Sequence, residues 1–71
     1  MIQIPQNGDR IRLISMADDP DPIQPGQLGT IAHVDVFGSG PEQWMQISVD
    51  WDNGRKLMLV CPPDRFEFIS S

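Results

Sequence analysis

Apolar and polar residues alternate most regularly between positions 45 and 60. On the way in, every second position is apolar, as in a strand with one buried face: Met45, Ile47, Val49 and Trp51. The motif Asp52-Asn53-Gly54 follows, whose residue types tolerate the positive φ angles of a tight turn. A largely apolar segment, 55–60, then returns. The pattern predicts a β-hairpin around which the other strands are arranged.

Two registers fit this hairpin. A two-residue Asn53-Gly54 turn puts Lys56 on the buried face beside Trp51. A three-residue turn with Gly54 in a left-handed bulge turns Lys56 and Met58 away from the core. Since a slip of one residue moves every side chain of a strand to the opposite face, we predict the three-residue turn. It makes these pairs: Trp51 with Arg55, Val49 with Leu57, and Ile47 with Leu59.

Three more strands are predicted besides the two of the hairpin. Residues 9–15 form the first, after an Asn7-Gly8 turn, with Ile11 and Leu13 buried. Residues 29–36 form the second, and a bulge near Ala32-His33 reconciles their apolar positions with a strand period of two. The hairpin strands begin near residue 43 or 44 and at 55. The last strand, 66–69, follows a short Pro-containing turn and directs its phenylalanines inward.

The segment 16–26 separates the first two strands and cannot be regular. Its prolines, Pro20, Pro22 and Pro25, lack a backbone donor and fix φ. The residues that precede them are forced into extended conformations. We therefore predict a stiff acidic loop that Ile23, and secondarily Met16, anchors on the core.

The fold class that follows is all-β, a small five-stranded SH3-like barrel. A single domain spans residues 1–71, with an arm at 1–8 and the long loop at 16–26. In an SH3-like order the first and last strands pair. An open oligonucleotide-binding barrel ranks lower, because that fold usually has a helix between strands three and four and only three residues are available here.

Composition and charge argue against several classes of function. The formal net charge is −5, with ten acidic and five basic residues, which opposes non-specific binding to nucleic acid. A single cysteine, Cys61, excludes an intramolecular disulfide and fits a cytoplasmic protein. The sequence shows no signal-peptide pattern and no apolar stretch near the roughly 20 residues of a membrane span.

Two segments resemble a small bacterial and mobile-element family described as a domain of unknown function, DUF4314. The first runs from Gly8 through Asp18-Asp-Pro-Asp-Pro-Ile23 to Gly29-Thr30, and the second contains Val49-Asp-Trp-Asp-Asn-Gly-Arg55 and Asp64-Arg-Phe66. Residues 37–45 look like an insertion. The resemblance implies an SH3-like barrel and carries no activity with it. A more distant similarity, Gly8-Asp9 with Gly29-Thr30-Ile31, is to the ribosomal and transcription-factor modules called KOW.

A candidate protein-contact surface combines the stiff loop with one tryptophan and with the loop Phe37-Gly-Ser-Gly40. A rigid exposed loop loses little entropy on binding, and a tryptophan after a Gly/Pro loop either caps the barrel end or lies exposed as a contact residue. Trp51, in contrast, is predicted to fill the core. The candidate contact residues are Asp18, Asp19, Asp21, Ile23 and Trp44.

The alternative function is a KOW-like barrel that binds nucleic acid. Four basic residues would contact the nucleic acid: Arg10, Arg12, Arg55 and Lys56. We expect ion pairs with nearby acids to occupy them instead. Arg10 and Arg12 share a wet face with Glu67, while Arg55 and Lys56 lie beside Asp50 and Asp52. Nucleic acid is therefore a disfavoured partner.

Catalysis, cofactors and metals are not expected. One histidine, His33, and one cysteine do not supply a nucleophile with its base and orienter. The loop aspartates lack the spacing of a calcium loop, and a barrel this small is filled by its own side chains. We predict a non-catalytic protein-interaction or adaptor module with a protein partner, and self-association through edge strands as a further alternative.

Overall fold

A computed structural model describes residues 4–17 and 19–69 of the 71-residue chain. Five antiparallel strands form one sheet in the order β4-β3-β2-β1-β5. A short 3₁₀ turn, Gly40–Glu42, interrupts the loop between β2 and β3. The strands are β1 Arg10–Ser15, β2 Leu28–Phe37, β3 Trp44–Trp51, β4 Leu59–Cys61 and β5 Arg65–Phe68.

The core lies on one face of this sheet and contains the residues that the alternation places inward. In β1, Ile11 and Leu13 are buried while Arg12 between them is exposed, and Phe66 and Phe68 of β5 pack against the core. Trp51 is buried, as predicted. The fully or nearly fully buried apolar residues are Ile11, Leu13, Ile23, Ile31, Ile47, Val49, Trp51 and Leu59.

Strand β1 lies between β2 and β5. It pairs antiparallel with β5, with Arg12 opposite Glu67, so the predicted pairing of first and last strands is confirmed. On its other side Ile11 lies opposite Gly29 of β2. The chain enters β1 through the predicted Asn7-Gly8 turn, in which Gly8 has φ +93°.

The long strand β2 contains the predicted bulge. Its pairing with β3 shifts between Ile31 and His33, so Ala32 is the extra residue. The strand runs one residue further at each end than the sequence predicted. Beyond the bulge, β2 and β3 continue as a two-stranded hairpin up to the pair Phe37–Trp44.

The β3–β4 hairpin adopts the predicted three-residue turn. Ile47 pairs with Leu59, Gly54 has φ +90°, and the Trp51 amide donates to the Arg55 carbonyl at 3.1 Å. The predicted strand over 55–60 was wrong in extent, because β4 covers only Leu59–Cys61. Leu57 instead leaves the ladder, and its carbonyl accepts a hydrogen bond from the indole Nε1 of Trp51 at 2.9 Å.

The loop 16–26 is irregular and anchored as predicted. Ile23 is only 2% exposed, and Met16 packs against the core. Asp64 holds the start of the loop, because its buried carboxylate accepts a hydrogen bond from the Ala17 amide at 2.8 Å. The loop is therefore held in two ways. Ile23 and Met16 pack against the core, and Asp64, which is distant in sequence, binds the Ala17 amide.

The all-β class and the five antiparallel strands are confirmed. Within 4–17 and 19–69, β4 and β5 form the two edges of the sheet and no ladder joins them. Closure into an SH3-like barrel therefore stays a prediction, although the β1–β5 pair agrees with it. No helix in the described ranges has the length and apolar character needed to cross a membrane.

Candidate functional site

Arg10, the first of the four candidate nucleic-acid contacts, is bound by a carboxylate. Its guanidinium donates to both oxygens of Asp52 at 2.8 and 2.7 Å and to the Thr30 hydroxyl at 2.9 Å. Hydrogen bonding to Arg10 lowers the pKa of the Asp52 carboxyl, and the same bonds raise the pKa of Arg10. The Asp52 carboxylate therefore stays ionised to a lower pH than that of an unpaired aspartate.

The other three candidate bases also face acids. Arg12 pairs with Glu67 at 2.8 Å, as predicted, and Lys56 lies 3.7 Å from Asp50. The Arg55 side chain reaches across to the loop, where it meets the Asp21 carboxylate at 3.3 Å and the Asp21 carbonyl at 2.9 Å. Each base that was to bind phosphate thus already has a carboxylate partner.

Hydrogen bonds fix the conformation of the acidic loop. Arg55 fastens its middle, while Asp19 accepts a hydrogen bond from the Asp21 amide at 2.8 Å. Ile23 is a loop anchor with no surface to offer a partner, so its inclusion among contact residues was wrong. Asp18 lies outside the described residues. Among the side chains that are described, no group of three or more His, Cys, Asp or Glu is arranged to hold a metal ion.

Trp44 is exposed. Its side chain stacks on Phe37, with ring centroids 4.6 Å apart and an angle of 23° between the planes. Both residues are 39% exposed. They are directly opposite each other in the β2–β3 ladder and therefore share a face of the sheet. Since Trp44 has the opposite parity to the buried Ile47 and Val49 of β3, this is the face away from the core.

The stacked pair belongs to a larger apolar surface. Gln46 shares the face of Trp44 on β3 and pairs with Val60 of β4. The side-chain Nε2 of Gln46 also donates to the sulfur of Met58 at 2.8 Å. We call the exposed apolar residues of this face the outer apolar stripe, which consists of Phe37, Trp44, Met58 and Val60.

The outer apolar stripe reaches the acidic loop. Met58 and Val60 line a depression of about 280 Å³ together with Ala17 and Asp19. Near the other end, Asp35 lies opposite Gln46 on the same face. The structure therefore brings Trp44 and Asp19 to one face of the molecule, whereas Asp21 is turned toward Arg55.

Sequence reasoning missed two residues of this stripe. The hairpin register turned Met58 outward, but neither Met58 nor Val60 was a candidate contact residue. Val60 joins the surface only because it faces Gln46 across the ladder. The available signal was the parity of the register, since residues two apart on a strand share a face.

A groove opens on the opposite, core side of the β2–β3 hairpin. It has a volume of about 480 Å³ and lies beside Met45 and Cys61, which pack against the core. Its lining is mostly apolar and consists of Ile4, Pro5, Val36, Gln43, Trp44, Met45, Cys61 and Pro62.

Cys61 has the surroundings of an unreactive thiol. Burial, with a smaller contribution from the negative charge of Asp64, raises the pKa of Cys61 to about 11, against 9.0 for an unperturbed thiol. We expect alkylation by iodoacetamide at pH 8 to be roughly tenfold to a hundredfold slower in the folded protein than in urea. A pH–rate profile of the folded protein is expected to rise with a midpoint near 11. A midpoint near 9 in the folded protein contradicts this assignment.

No curated protein and no solved structure matches this chain. The family model described as "Domain of unknown function (DUF4314)" matches residues 3–69. This match covers almost the whole chain and includes all five strands and the outer apolar stripe. The chain therefore belongs to the DUF4314 family.

Proposed function

We propose that this protein is a non-catalytic protein-interaction module that binds its partner with the outer apolar stripe. The observation that carries the proposal is the exposed Phe37–Trp44 stack on an open sheet face. A few residues carry most of the binding energy of a protein interface, and tryptophan is enriched among them. Several exposed apolar side chains on one face of a small domain are typical of an interaction site.

The charge around the stripe defines the chemistry of the partner. Asp19 and Asp35 flank the apolar residues, and the whole chain carries a net charge of −5. A complementary protein surface presents apolar or aromatic side chains with lysine or arginine beside them. Such charges steer association and select among partners more than they add affinity.

The anchored loop supports the same proposal. Arg55 and Ile23 hold the loop against the domain, so little conformational entropy is lost when a partner contacts it. Nucleic acid is a poorer candidate, since a phosphate would have to displace a carboxylate from each of the four bases. A cytoplasmic location is part of the proposal, supported by the free thiol of Cys61.

A capture experiment tests the proposal. Tagged wild-type protein and the double variant Phe37→Ser/Trp44→Ser are used to capture partners from native host lysate at low and high salt, with and without nuclease. We expect a defined protein partner that survives nuclease and is retained at least about thirtyfold less by the double variant, because such aromatic contacts are commonly worth about 2 kcal/mol or more.

The matched control is Ile14→Ser. Ile14 is 40% exposed, almost the same as Trp44, but lies on β1 outside the stripe, so this variant should retain the partner. Thermal unfolding checks that all variants are folded. Equal capture by the double variant contradicts the proposal, as does a partner that disappears with nuclease or the absence of any partner above the tag-only background.

A further inference from the structure

Strand β2 extends well past its neighbour β1. The β1–β2 ladder covers only Leu28–Thr30 of β2, and the Gly8 and Asp9 backbone adds two hydrogen bonds to Ile31. From His33 to Phe37 the strand is paired with β3 alone. In the part of the chain that the structure describes, no backbone is paired with the opposite edge of 33–37, and Ile4 and Pro5 line a groove together with Val36.

The direction of the backbone groups along this edge follows from the ladders. Trp51 bonds to the returning chain at Arg55 and Gly54, so the alternation of an antiparallel strand turns the even-numbered residues of β3 toward β2. Their partners on β2 are His33, Asp35 and Phe37. The N–H and C=O groups of Val34 and Val36 therefore point outward, and no described residue accepts or donates to them.

Exposed side chains lie on both faces of this edge. Val36 is 52% exposed and borders the apolar groove on the core side. Phe37 is exposed on the other face with the stripe, and Asp35 lies on that face too. A strand added to the edge would bury apolar area on both faces and satisfy four backbone groups.

A second copy of this chain is a poor occupant. The antiparallel pairing with the fullest overlap of 33–37 is centred on Asp35 and sets the two Asp35 carboxylates directly opposite each other. Like charges in that position are destabilising, and each copy carries a net charge of −5. A lysine or arginine opposite Asp35 removes this conflict.

We infer that the partner binds by β-strand addition along the His33–Phe37 edge of β2. The added segment is an extended part of another protein. Its inward side chains, opposite Val34 and Val36, are apolar, and its outward side chains are basic opposite Asp35 and apolar or aromatic opposite Phe37. The inference rests on the proposed function and specifies how the partner of the outer apolar stripe is recognised.

The probe is a fluorescent synthetic peptide with valine at every inward position, and with lysine and phenylalanine at the outward positions that face Asp35 and Phe37. It is titrated into the full-length protein and followed by anisotropy. We expect binding that slows hydrogen exchange at the Val34 and Val36 amides. The same peptide methylated on alternate backbone nitrogens keeps its side chains but cannot extend the ladder, so it should bind at least about tenfold more weakly.

Protein variants give a second, independent readout. Val36→Pro removes an outward donor without breaking the β2–β3 ladder, as edge strands permit, and is expected to weaken binding about tenfold, whereas Val36→Thr keeps the donor and the binding. Asp35→Lys should weaken binding similarly. Asp50→Lys makes the same change of net charge on the same sheet face away from the edge, and it should have a smaller effect.

Three results overturn the inference: no binding of the peptide, equal binding of its methylated form, or Val34 and Val36 amides that are already protected in the free protein. Each leaves the capture experiment to decide the proposed function separately. If a protein partner still depends on Phe37 and Trp44, the stripe binds without strand addition. If it does not, both proposals fail.

Discussion

Replacing Asp64 with asparagine is expected to lower the free energy of unfolding by about 3 kcal/mol. The side chain is 8% exposed. One carboxylate oxygen accepts the Ala17 amide at 2.8 Å and the other accepts the Val60 amide at 2.9 Å. Asparagine has a single acceptor oxygen, so one of these N–H groups would face an NH₂ group, and a buried donor without a partner is costly.

Urea unfolding followed by the fluorescence of the buried Trp51 measures this loss. Two-state analysis is expected to show a lower midpoint with an unchanged slope. Asp50→Asn is the matched control, because it makes the same chemical change at an exposed carboxylate 3.7 Å from Lys56, and exposed pairs contribute at most about 1 kcal/mol. Equal losses in the two variants would show that Asp64 does not fasten the loop.

Asp64 also shows where sequence reasoning stops. Its position after Cys61-Pro62-Pro63 correctly predicted a turn, since aspartate is common in turns. Ala17, whose amide donates to Asp64, lies 47 positions earlier in the chain. No local sequence pattern can predict that hydrogen bond. It depends on the β1–β5 pair, which sets the start of the loop beside the β4–β5 turn.

Local patterns were sufficient where burial on one face decides the outcome. The alternation in 45–51 and the cost of burying Lys56 selected the correct hairpin register. The out-of-phase apolar positions of β2 located the bulge at Ala32. The extent of β4 was not predictable in this way, because the indole of Trp51 draws the Leu57 carbonyl away from the ladder.

The candidate site was predictable only in part. Sequence identified Trp44 as a contact candidate but left open whether it is exposed. It also placed Ile23 both in the core and on the contact surface, and the structure keeps only the first. The outer apolar stripe needs two cross-strand registers at once, Phe37 with Trp44 and Gln46 with Val60. No single stretch of sequence contains that information.

Gly29→Ala is expected to destabilise the protein by about 2 kcal/mol because the site is already filled. Gly29 is buried in β2 opposite Trp51. A Cβ atom there would lie 2.7 Å from Cγ1 of Val49, 2.8 Å from Cε3 of Trp51 and 3.2 Å from the Asp50 carbonyl. The lower entropy of the unfolded alanine chain offsets only about 0.4 to 1 kcal/mol of this strain. Close packing against β3 is therefore the reason for glycine at this position.

A double-mutant cycle with Val49→Ala tests that cause. Removing Cγ1 of Val49 relieves one of the three contacts, so the double variant should be more stable than the sum of the single losses predicts, by about 1 kcal/mol. Gly26→Ala is the control glycine, because its φ of +92° strains an alanine while nothing lies within 4 Å of the added Cβ. Gly26→Ala should therefore be additive with Val49→Ala. Additive behaviour at Gly29 as well would mean that contact with Trp51 and the Asp50 carbonyl, rather than with Val49, limits that position.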